Sequence, residues 1–261
     1  MNIIVCVKQV IDPEAPPASF KIDTEHNKAD MHGAPPVIDP YGEYAVEAAL
    51  RLKEANGGTI TIMVMGVNLL REVVKKPLAM GADELILLED EAFTKGDGWS
   101  TAQALALAIK KKGDYDLILC GREASDTNAG QTGLAIAEIL GLSCINLARK
   151  IEVADSTLKV ERVNLSGYDV IESSLPAVIT ISNEVGEPRY PTIKGIMAAK
   201  KIEPVIWKPN DIGLDAHASV KTKLHRLFQP VHEGKCEFAE GDTEEEMAVN
   251  LANKLRESKT I

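Results

Sequence analysis

The chain has 261 residues, of which 45% are hydrophobic, 26% are charged and only 4% are aromatic, and its formal net charge at pH 7 is −10. The composition is that of a globular protein with an aliphatic core, and the acidic balance argues against nucleic-acid binding, which needs a basic surface. No apolar stretch reaches the ~20 residues of a membrane-spanning helix. The short apolar start at 2–7 is followed by Lys8, which indicates a first strand and not a signal peptide. We therefore expect a cytoplasmic protein.

Four short apolar runs without polar alternation recur at positions 3–7, 60–65, 85–88 and 117–120. Runs of this kind are typical of strands that are covered on both faces. Helical patterns separate them. The alternation predicts an α/β fold built on a doubly wound parallel sheet.

The predicted helices have recognisable ends. Asp39 is a candidate N-cap for a helix that begins at Pro40 and ends at the glycine pair after Asn56. A second helix is expected over residues 69–80, with Pro77 kinking its last turn. The other predicted helices cover residues 99–112, 134–140 and 243–257.

Two regions depart from this rhythm. Residues 13–36 are rich in proline and polar side chains and predict a long loop with a small hairpin around residues 24–27. Beyond Leu142, strand-like pieces follow one another at 150–153, 158–163, 169–172 and 177–182. After Lys201 the periodicity is sparse. Such a tail could wrap a neighbouring chain or pack across its own domain, and the pattern supports both equally.

Several common site signatures are missing. The sequence has no GxGxxG after the first strand, no GxxxxGK[ST], no pair of histidines at HxxxH spacing and no Ser/His/Asp elbow. The four cysteines (Cys6, Cys120, Cys144 and Cys236) form no CxxC pair. Buried reduced thiols are expected in place of disulfides or metal ligands. Hydrolytic or metal catalysis by this chain alone is poorly supported.

The richest candidate site follows the strand that ends at Cys120. It reads Gly121, Arg122, Glu123, Ala124, Ser125, Asp126, Thr127, Asn128, Ala129, Gly130, Gln131, Thr132 and Gly133. Loops at the carboxyl ends of parallel strands hold ligands, glycines let the backbone approach a phosphate, and a following helix N-terminus offers free N–H donors. The alternative is a solvated strand–helix loop whose small residues suit the turn.

Two further segments are weaker candidates. The segment 96–101, with Asp97, Ser100 and Thr101, lies at the start of the helix predicted at 99–112, where the hydroxyls could reach a phosphate or simply cap the helix. Ile193, Ile196 and Met197 share one helical face that is rimmed by lysines. That face could dock a protein, although packing in the core is the commoner reason for an apolar face.

Taken together and in order, these phrases resemble the electron transfer flavoprotein β subunit over nearly the whole chain. The matching phrases are Val5–Lys8 with 10–12, Asp39-Pro40-Tyr41 with the helix to Glu54, Leu78–Asp83, Gln131-Thr132-Gly133, Glu187–Tyr190, Gly195-Ile196-Met197 and 199–201. Each phrase is weak singly, but their order and spacing are specific. Two departures are Leu165–Tyr168, where the family has acidic and glycine residues, and Gly130, where its commonest loop has asparagine.

The resemblance implies the nucleotide-binding fold of ETF domain III, with a C-terminal extension that wraps the partner subunit. It implies a heterodimer whose α subunit holds most of a redox-active FAD, while this chain buries an adenine nucleotide. Carried over by position, the nucleotide site comprises Cys6, Asp39, Pro40, Tyr41, Gly42, Met65 and residues 121–132. Tyr41 would also lie near the partner's flavin. Ile193 would stand where the family places the anchor that plugs into a dehydrogenase.

Family members divide by what the β subunit holds. Simple carriers keep AMP there, whereas electron-bifurcating members keep a second FAD that accepts electrons from NADH. Residues 97–101, 137–141, 233–235 and 240–242 look closer to the flavin-holding branch, while Gly130–Leu134 differs from it. Both ligands stay open, with FAD slightly favoured.

The implied organisation is an α/β nucleotide-binding domain at 1–205 and a C-terminal arm and helix at 206–261 that contact the α subunit. The implied partners are that α subunit and an acyl-CoA dehydrogenase or similar flavoprotein dehydrogenase. The chain would be an electron-carrier subunit, not a stand-alone enzyme. A nucleotide-binding module of the universal-stress type is the remote alternative, and it leaves the segment after Leu142 without a purpose.

Overall fold

Seven parallel strands lie at the centre of the molecule, and two antiparallel strands extend the sheet at one edge. The computed structural model describes residues 1–16, 20–31, 33–94, 96–154, 156–214, 220–230, 234 and 236–261. Its strands are β1 (Asn2–Val7), β2 (Gln9–Ile11), β3 (Phe20–Asp23), β4 (Lys28–Met31), β5 (Pro36–Ile38), β6 (Thr59–Gly66), β7 (Glu84–Glu89), β8 (Leu117–Gly121), β9 (Ser143–Ala154), β10 (Thr157–Asn164), β11 (Gly167–Ser174), β12 (Ala177–Ile181) and β13 (Val205–Trp207). Its helices are α1 (Pro40–Asn56), α2 (Arg71–Val74), α3 (Lys76–Met80), α4 (Gly98–Lys112), α5 (Thr132–Leu140), α6 (Ile193–Lys200) and α7 (Glu244–Glu257).

The strand order places a ligand crevice beside β1. The main sheet runs β11-β10-β9-β12-β8-β1-β6-β7-β13. From β1 the chain builds outwards through β6 and β7, and then returns to the other side of β1 with β8 and β12. The order reverses between β1 and β8, and open α/β sheets bind ligands outside the carboxyl ends of the strands at such a point. The predicted doubly wound parallel sheet is confirmed.

Helices cover both faces of this sheet, as the unalternating apolar runs predict. On β1, Ile3 and Val5 pack in a core cluster with residues of α1, while Ile4 packs in a second cluster with residues of α4 and α5. All three of these β1 side chains are almost fully buried. Because alternate residues point to opposite faces, a strand buried on both sides needs apolar residues throughout.

The helix expected over residues 69–80 is two short helices instead of one kinked helix. Helix α2 ends at Val74 and α3 begins at Lys76, with Pro77 in the first turn of α3. A proline in a first helical turn costs no hydrogen bond, because that N–H has no partner within the helix. Pro77 therefore starts a new helix. Gly81 ends α3 as expected.

The proline-rich segment near the N-terminus contains two small antiparallel ladders. Strand β2 pairs with β5, and β3 pairs with β4. The β3–β4 turn covers residues 24–27, so the predicted hairpin is confirmed. The Asp23 carboxylate accepts hydrogen bonds from the backbone N–H groups of Glu25 and His26, which stabilise this turn.

The part of the chain after Lys201 begins within the sheet and ends outside it. Strand β13 extends the sheet next to β7, and Ile212 is buried in the cluster beneath α4. Strand β13 thus runs across the domain boundary expected between residues 205 and 206, which stays a prediction. Helix α7 has no buried residue, and Phe238, Met247 and Leu251 are exposed. None of the described helices is both long enough and apolar enough to cross a membrane.

The expectation of buried cysteines holds for only part of the set. Cys120 is buried and Cys6 is half-buried, but Cys144 and Cys236 are exposed. The prediction of burial was wrong for these two, because an apolar neighbourhood in sequence does not ensure cover by a helix. Cys144 stands near the start of β9, where the side chains of the strand's first two residues are exposed. All four thiols are free.

Candidate functional site

A cleft of about 450 Å³ opens at the carboxyl ends of β1, β6 and β8, at the point where the strand order reverses. Its walls come from the loop after β8, the start of α4 and the start of α5. The lining residues are Cys6, Val7, Lys8, Asp39, Gly42, Met65, Gly66, Phe93, Thr94, Gly96, Asp97, Gly98, Thr101, Leu105, Cys120, Gly121, Arg122, Glu123, Ala124, Thr127, Ala129, Gly130, Gln131, Thr132 and Gly133.

The structure brings most of the predicted site residues to this cleft. Those that do not line it are Pro40, Tyr41, Ser100, Ser125, Asp126 and Asn128. The lining residues that the sequence did not single out are Val7, Lys8, Gly66, Phe93, Thr94, Leu105 and Cys120. Several of these lie at or just beyond the carboxyl ends of β1, β6 and β8. The predicted ends of these strands could therefore have identified them as site residues. Of the stretch 233–235, Glu233 and Lys235 lie outside the described residues.

Asp39 ties the loop after β8 to the start of α1. The side chain is 2% exposed. Its Oδ1 accepts a hydrogen bond from the Tyr41 N–H at 3.0 Å, which caps α1. Its Oδ2 accepts from the backbone N–H and the hydroxyl of Ser125, each at 2.6 Å. The Ser125 hydroxyl therefore holds the loop in place and is not turned to the cleft.

Two glycines permit backbone contacts that other residues would block. A Cβ at Gly121 would lie 2.7 Å from the backbone carbon of Tyr41, and one at Gly133 would lie 2.6 Å from the Thr180 methyl carbon. Helix α5 therefore packs directly on β12, with its first turn at the cleft. The residue before α5, Gln131, makes no side-chain cap. The N–H groups of that turn are thus available to an anion, which the helix dipole also favours.

Charged side chains on the rim are paired with one another. Lys8 donates to Asp126 at 2.7 Å, which links the end of β1 to the loop after β8. The Arg122 guanidinium bonds the Glu123 carboxylate at 2.7 Å and stacks over the Tyr41 ring at 5.0 Å. The hydrogen bond that Arg122 donates to Glu123 raises the pKa of Arg122. Tyr41 thus supports the cleft wall from behind.

The start of α4 forms the opposite wall and binds the C-terminal segment. The Asp97 Oδ1 accepts from the Ser100 N–H, and the Ser100 hydroxyl accepts from the Asp97 N–H, so the two form a capping box. The Asp97 Oδ2 accepts from the Lys221 and Thr222 N–H groups at 2.7 Å. Burial would raise the pKa of Asp97, but these hydrogen bonds hold it well below its usual range. Of the two hydroxyls at the start of α4, Ser100 is occupied by capping and Thr101 lines the cleft.

Two thiols lie at the floor of the cleft. Cys6 and Cys120 are neighbours across β1 and β8. A hydrogen bond that the Cys120 thiol donates to Cys6, and then burial, raise the pKa of Cys120 well above its ordinary value. Cys120 therefore stays protonated at neutral pH and contributes apolar contact. No group of three or more acidic, histidine or cysteine side chains suited to a metal ion occurs in the described parts of the chain.

The predicted docking residues lie on α6, away from the cleft, and they are exposed. The exposed fraction is 83% for Ile193, 43% for Ile196 and 56% for Met197. The interpretation that this face packs in the core is wrong. The Thr192 hydroxyl caps α6, and a Cβ at Gly195 would lie 2.2 Å from the Ala79 carbonyl oxygen. Only glycine at that position lets α6 lie against α3.

The segment before α6 is fixed to α1 by a network around one buried carboxylate. Glu47 has a side chain that is 4% exposed, and it accepts hydrogen bonds from Arg189 at 2.9 Å and from Arg51 at 2.8 Å. Arg189 also pairs with Glu54. Burial would raise the pKa of Glu47, but the hydrogen bonds from Arg189 and Arg51 lower it below its ordinary value. The exposed face of α6 therefore stands on a rigid base.

Comparison with known proteins agrees with this geometry. The model of the electron transfer flavoprotein domain matches residues 28–212. The chain belongs to the electron transfer flavoprotein β subunit family. It is 38% identical over 266 residues to the caffeyl-CoA reductase-Etf complex subunit CarD of Acetobacterium woodii, with all of both chains covered. It is 36% identical to the electron transfer flavoprotein subunit beta of Thermoanaerobacterium thermosaccharolyticum and 37% identical to that of Megasphaera elsdenii, again over the full length of each. Its function lies in electron transfer.

Proposed function

We propose that this chain binds an adenine nucleotide in the cleft at the β1–β8 switch point, pairs with an α subunit and docks flavoprotein dehydrogenases through α6. The observation that carries the proposal is the cleft itself: an uncapped helix start, a glycine-lined loop and a switch point converge in one place. A phosphate-bearing ligand meets donors and a favourable dipole there.

The residues present fit either AMP or the second FAD. The first turn of α5, with Thr132 and Gly133, would hold a phosphate through backbone N–H groups and the Thr132 hydroxyl. Thr101 and Gly98 stand on the opposite wall of the same cleft. A wall with a hydroxyl beyond the α5 turn favours the longer dinucleotide. When bound, a flavin would supply one- and two-electron transfer, and this chain's residues would bind and orient it.

The nucleotide can be identified after its release from the purified heterodimer, by chromatographic separation of FAD from AMP. Equal amounts of FAD and AMP indicate a one-flavin carrier. Two FAD and no AMP place the second flavin in this subunit and support NADH-driven electron bifurcation. A heterodimer that carries neither nucleotide beyond the α-subunit FAD would contradict the assignment of the cleft.

Docking through α6 rests on exposed apolar side chains that stand on a rigid base. Burying one such side chain contributes ~1.5–3 kcal/mol, enough to guide docking without preventing release. The Ile193→Asp variant should abolish reduction by the dehydrogenase and leave the flavin content intact, as followed by flavin absorbance during turnover. The matched control is Lys194→Asp, also on the exposed surface of α6. Unchanged electron transfer in Ile193→Asp would remove the docking assignment.

This chain has an exposed apolar surface that the α subunit would cover. Phe238, Met247 and Leu251 stand on and before α7, which packs on no other part of the described chain deeply enough to bury a residue. A relative is named as a subunit of a caffeyl-CoA reductase-Etf complex. By analogy, the dehydrogenase partner of this chain acts on CoA esters. The four free thiols are in keeping with a cytoplasmic location.

A further inference from the structure

A second cleft, of about 590 Å³, lies beside α6 and has no part in nucleotide binding. It is bounded by β5, α2, α3 and α6. Its lining residues are Pro36, Val37, Ile38, Arg71, Glu72, Val73, Lys75, Lys76, Ala79, Pro191, Ile196, Ala199 and Lys200. Of the three exposed apolar residues of α6, Ile196 lines this cleft, whereas Ile193 and Met197 do not.

Cationic side chains outnumber acidic ones in the lining of this cleft. The chain has a net charge of −10, yet the cleft carries Arg71, Lys75, Lys76 and Lys200 against the single carboxylate of Glu72. Arg71, Lys75 and Lys76 are paired with Glu89, Glu203 and Glu43, respectively. Lys200 is exposed and has no ion pair within the described residues.

Contacts within the chain hold the walls of the cleft in place. Gly195 lets α6 lie against α3, and the Lys75 ammonium donates to the Lys200 carbonyl oxygen at 3.4 Å. Lys75 is largely covered. A cleft with apolar walls, a cationic rim and fixed geometry suits an apolar side chain flanked by carboxylates.

We propose that this cleft receives an apolar side chain, flanked by acidic residues, from the dehydrogenase that α6 docks. The inference rests on the proposed docking function and adds a reciprocal anchor to it. Ile193 inserts into the dehydrogenase, and the dehydrogenase inserts a side chain between α2 and α6. Two anchors of opposite direction fix the orientation of the complex, which a single anchor cannot do.

The test measures the Kd between the holo-heterodimer and an acyl-CoA dehydrogenase that reduces it, by biolayer interferometry. Val73→Phe fills the cleft, and Val170→Phe is the control for size at the opposite edge of the sheet. Lys200→Glu reverses a rim charge, and Lys201→Glu is the control at the adjacent position outside the lining. Variants are compared only where the thermal unfolding midpoint matches that of the wild type. If Val73→Phe fails this criterion, Lys200→Glu decides alone.

We expect Val73→Phe and Lys200→Glu each to raise Kd by about tenfold, with an effect of Lys200→Glu that weakens as salt is added, while the controls stay within about twofold. An unchanged Kd in either variant overturns the reciprocal anchor, and the docking function survives if Ile193→Asp still abolishes binding. The reciprocal anchor is also overturned if the variants fail to form the heterodimer and do not weaken its affinity for the dehydrogenase. In that case the cleft would belong to the interface between the two subunits. An unaffected Ile193→Asp would instead count against the proposed function.

Discussion

Single side chains at the nucleotide cleft support the site by holding loops, and Asp39 is the clearest example. One buried carboxylate caps α1 through Tyr41 and fastens the loop after β8 through Ser125. The capping role follows from sequence, because Asp39 directly precedes Pro40. The contact with Ser125 does not, because the two residues are 86 positions apart and only the strand order brings them together.

Replacing Asp39 should therefore destabilise both elements at once. In Asp39→Ala the Tyr41 and Ser125 N–H groups lose their partner, and we expect a loss of ~2–4 kcal/mol in the free energy of unfolding. The thermal unfolding midpoint and the nucleotide content of the heterodimer should both fall. The control is Asp126→Asn at the exposed ion pair with Lys8, which should cost less than ~1 kcal/mol. Equal losses in the two variants would contradict this account of Asp39.

Helices and loops show which contacts a local sequence pattern can predict and which it cannot. The cap of α4 is local, since Asp97 and Ser100 are three residues apart. Capping was one of the two roles that the sequence suggested for this segment, the other being phosphate binding. The hydrogen bond that the Thr222 N–H donates to Asp97 spans 125 residues, and no local sequence pattern predicts it. The prediction of a single helix over 69–80 was wrong because it placed Pro77 in a last turn. Pro77 lies in the first turn of a new helix, α3.

The base of α6 provides a prediction of pH dependence. The pKa of Glu47 is lower in the folded state than its ordinary value. The hydrogen-bond network around Glu47 therefore stabilises the protein fully when the pH is above the ordinary pKa. This stabilisation is lost as the pH falls through the folded pKa. From about pH 7 to about pH 3, a range that extends well below the ordinary pKa of a glutamate, the thermal unfolding midpoint of the wild type should fall further than that of Glu47→Gln. Glu54→Gln, at an exposed partner of Arg189, is the comparison variant. Parallel pH profiles for the wild type and Glu47→Gln would refute this role.

At the scale of the whole molecule, the sheet was predictable and the tail was not. Unbroken apolar runs identify strands that are covered on both faces, and their spacing implies crossover helices. The exposed apolar residues of α7 are not covered by other parts of the described chain. In our proposal, the surface that covers them belongs to the α subunit. Sequence pattern could therefore not decide between packing on the same domain and wrapping a partner.

The tail can be tested without removing it. Leu251→Asp places a charge on the exposed apolar face of α7, and Asn253→Asp places the same charge at a neighbouring exposed polar position. We expect Leu251→Asp to reduce the yield of heterodimer in co-expression, measured by size-exclusion chromatography, with an unchanged far-ultraviolet spectrum of the isolated chain. Asn253→Asp should assemble like the wild type. Full assembly of Leu251→Asp would show that α7 does not contact the α subunit.

The position of β1 between β6 and β8 has a consequence for biosynthesis. The Asn2 N–H donates to Asp116, 114 residues later, so β1 is translated well before β8 and gains one of its two neighbours only after these residues have been made. Until then its β8-facing edge is unpaired and open to the wrong partner. Pairing across such a separation is slow relative to local helix formation. We therefore expect chaperone demand to peak while residues 66–116 are being made and to fall once β8 has joined the sheet.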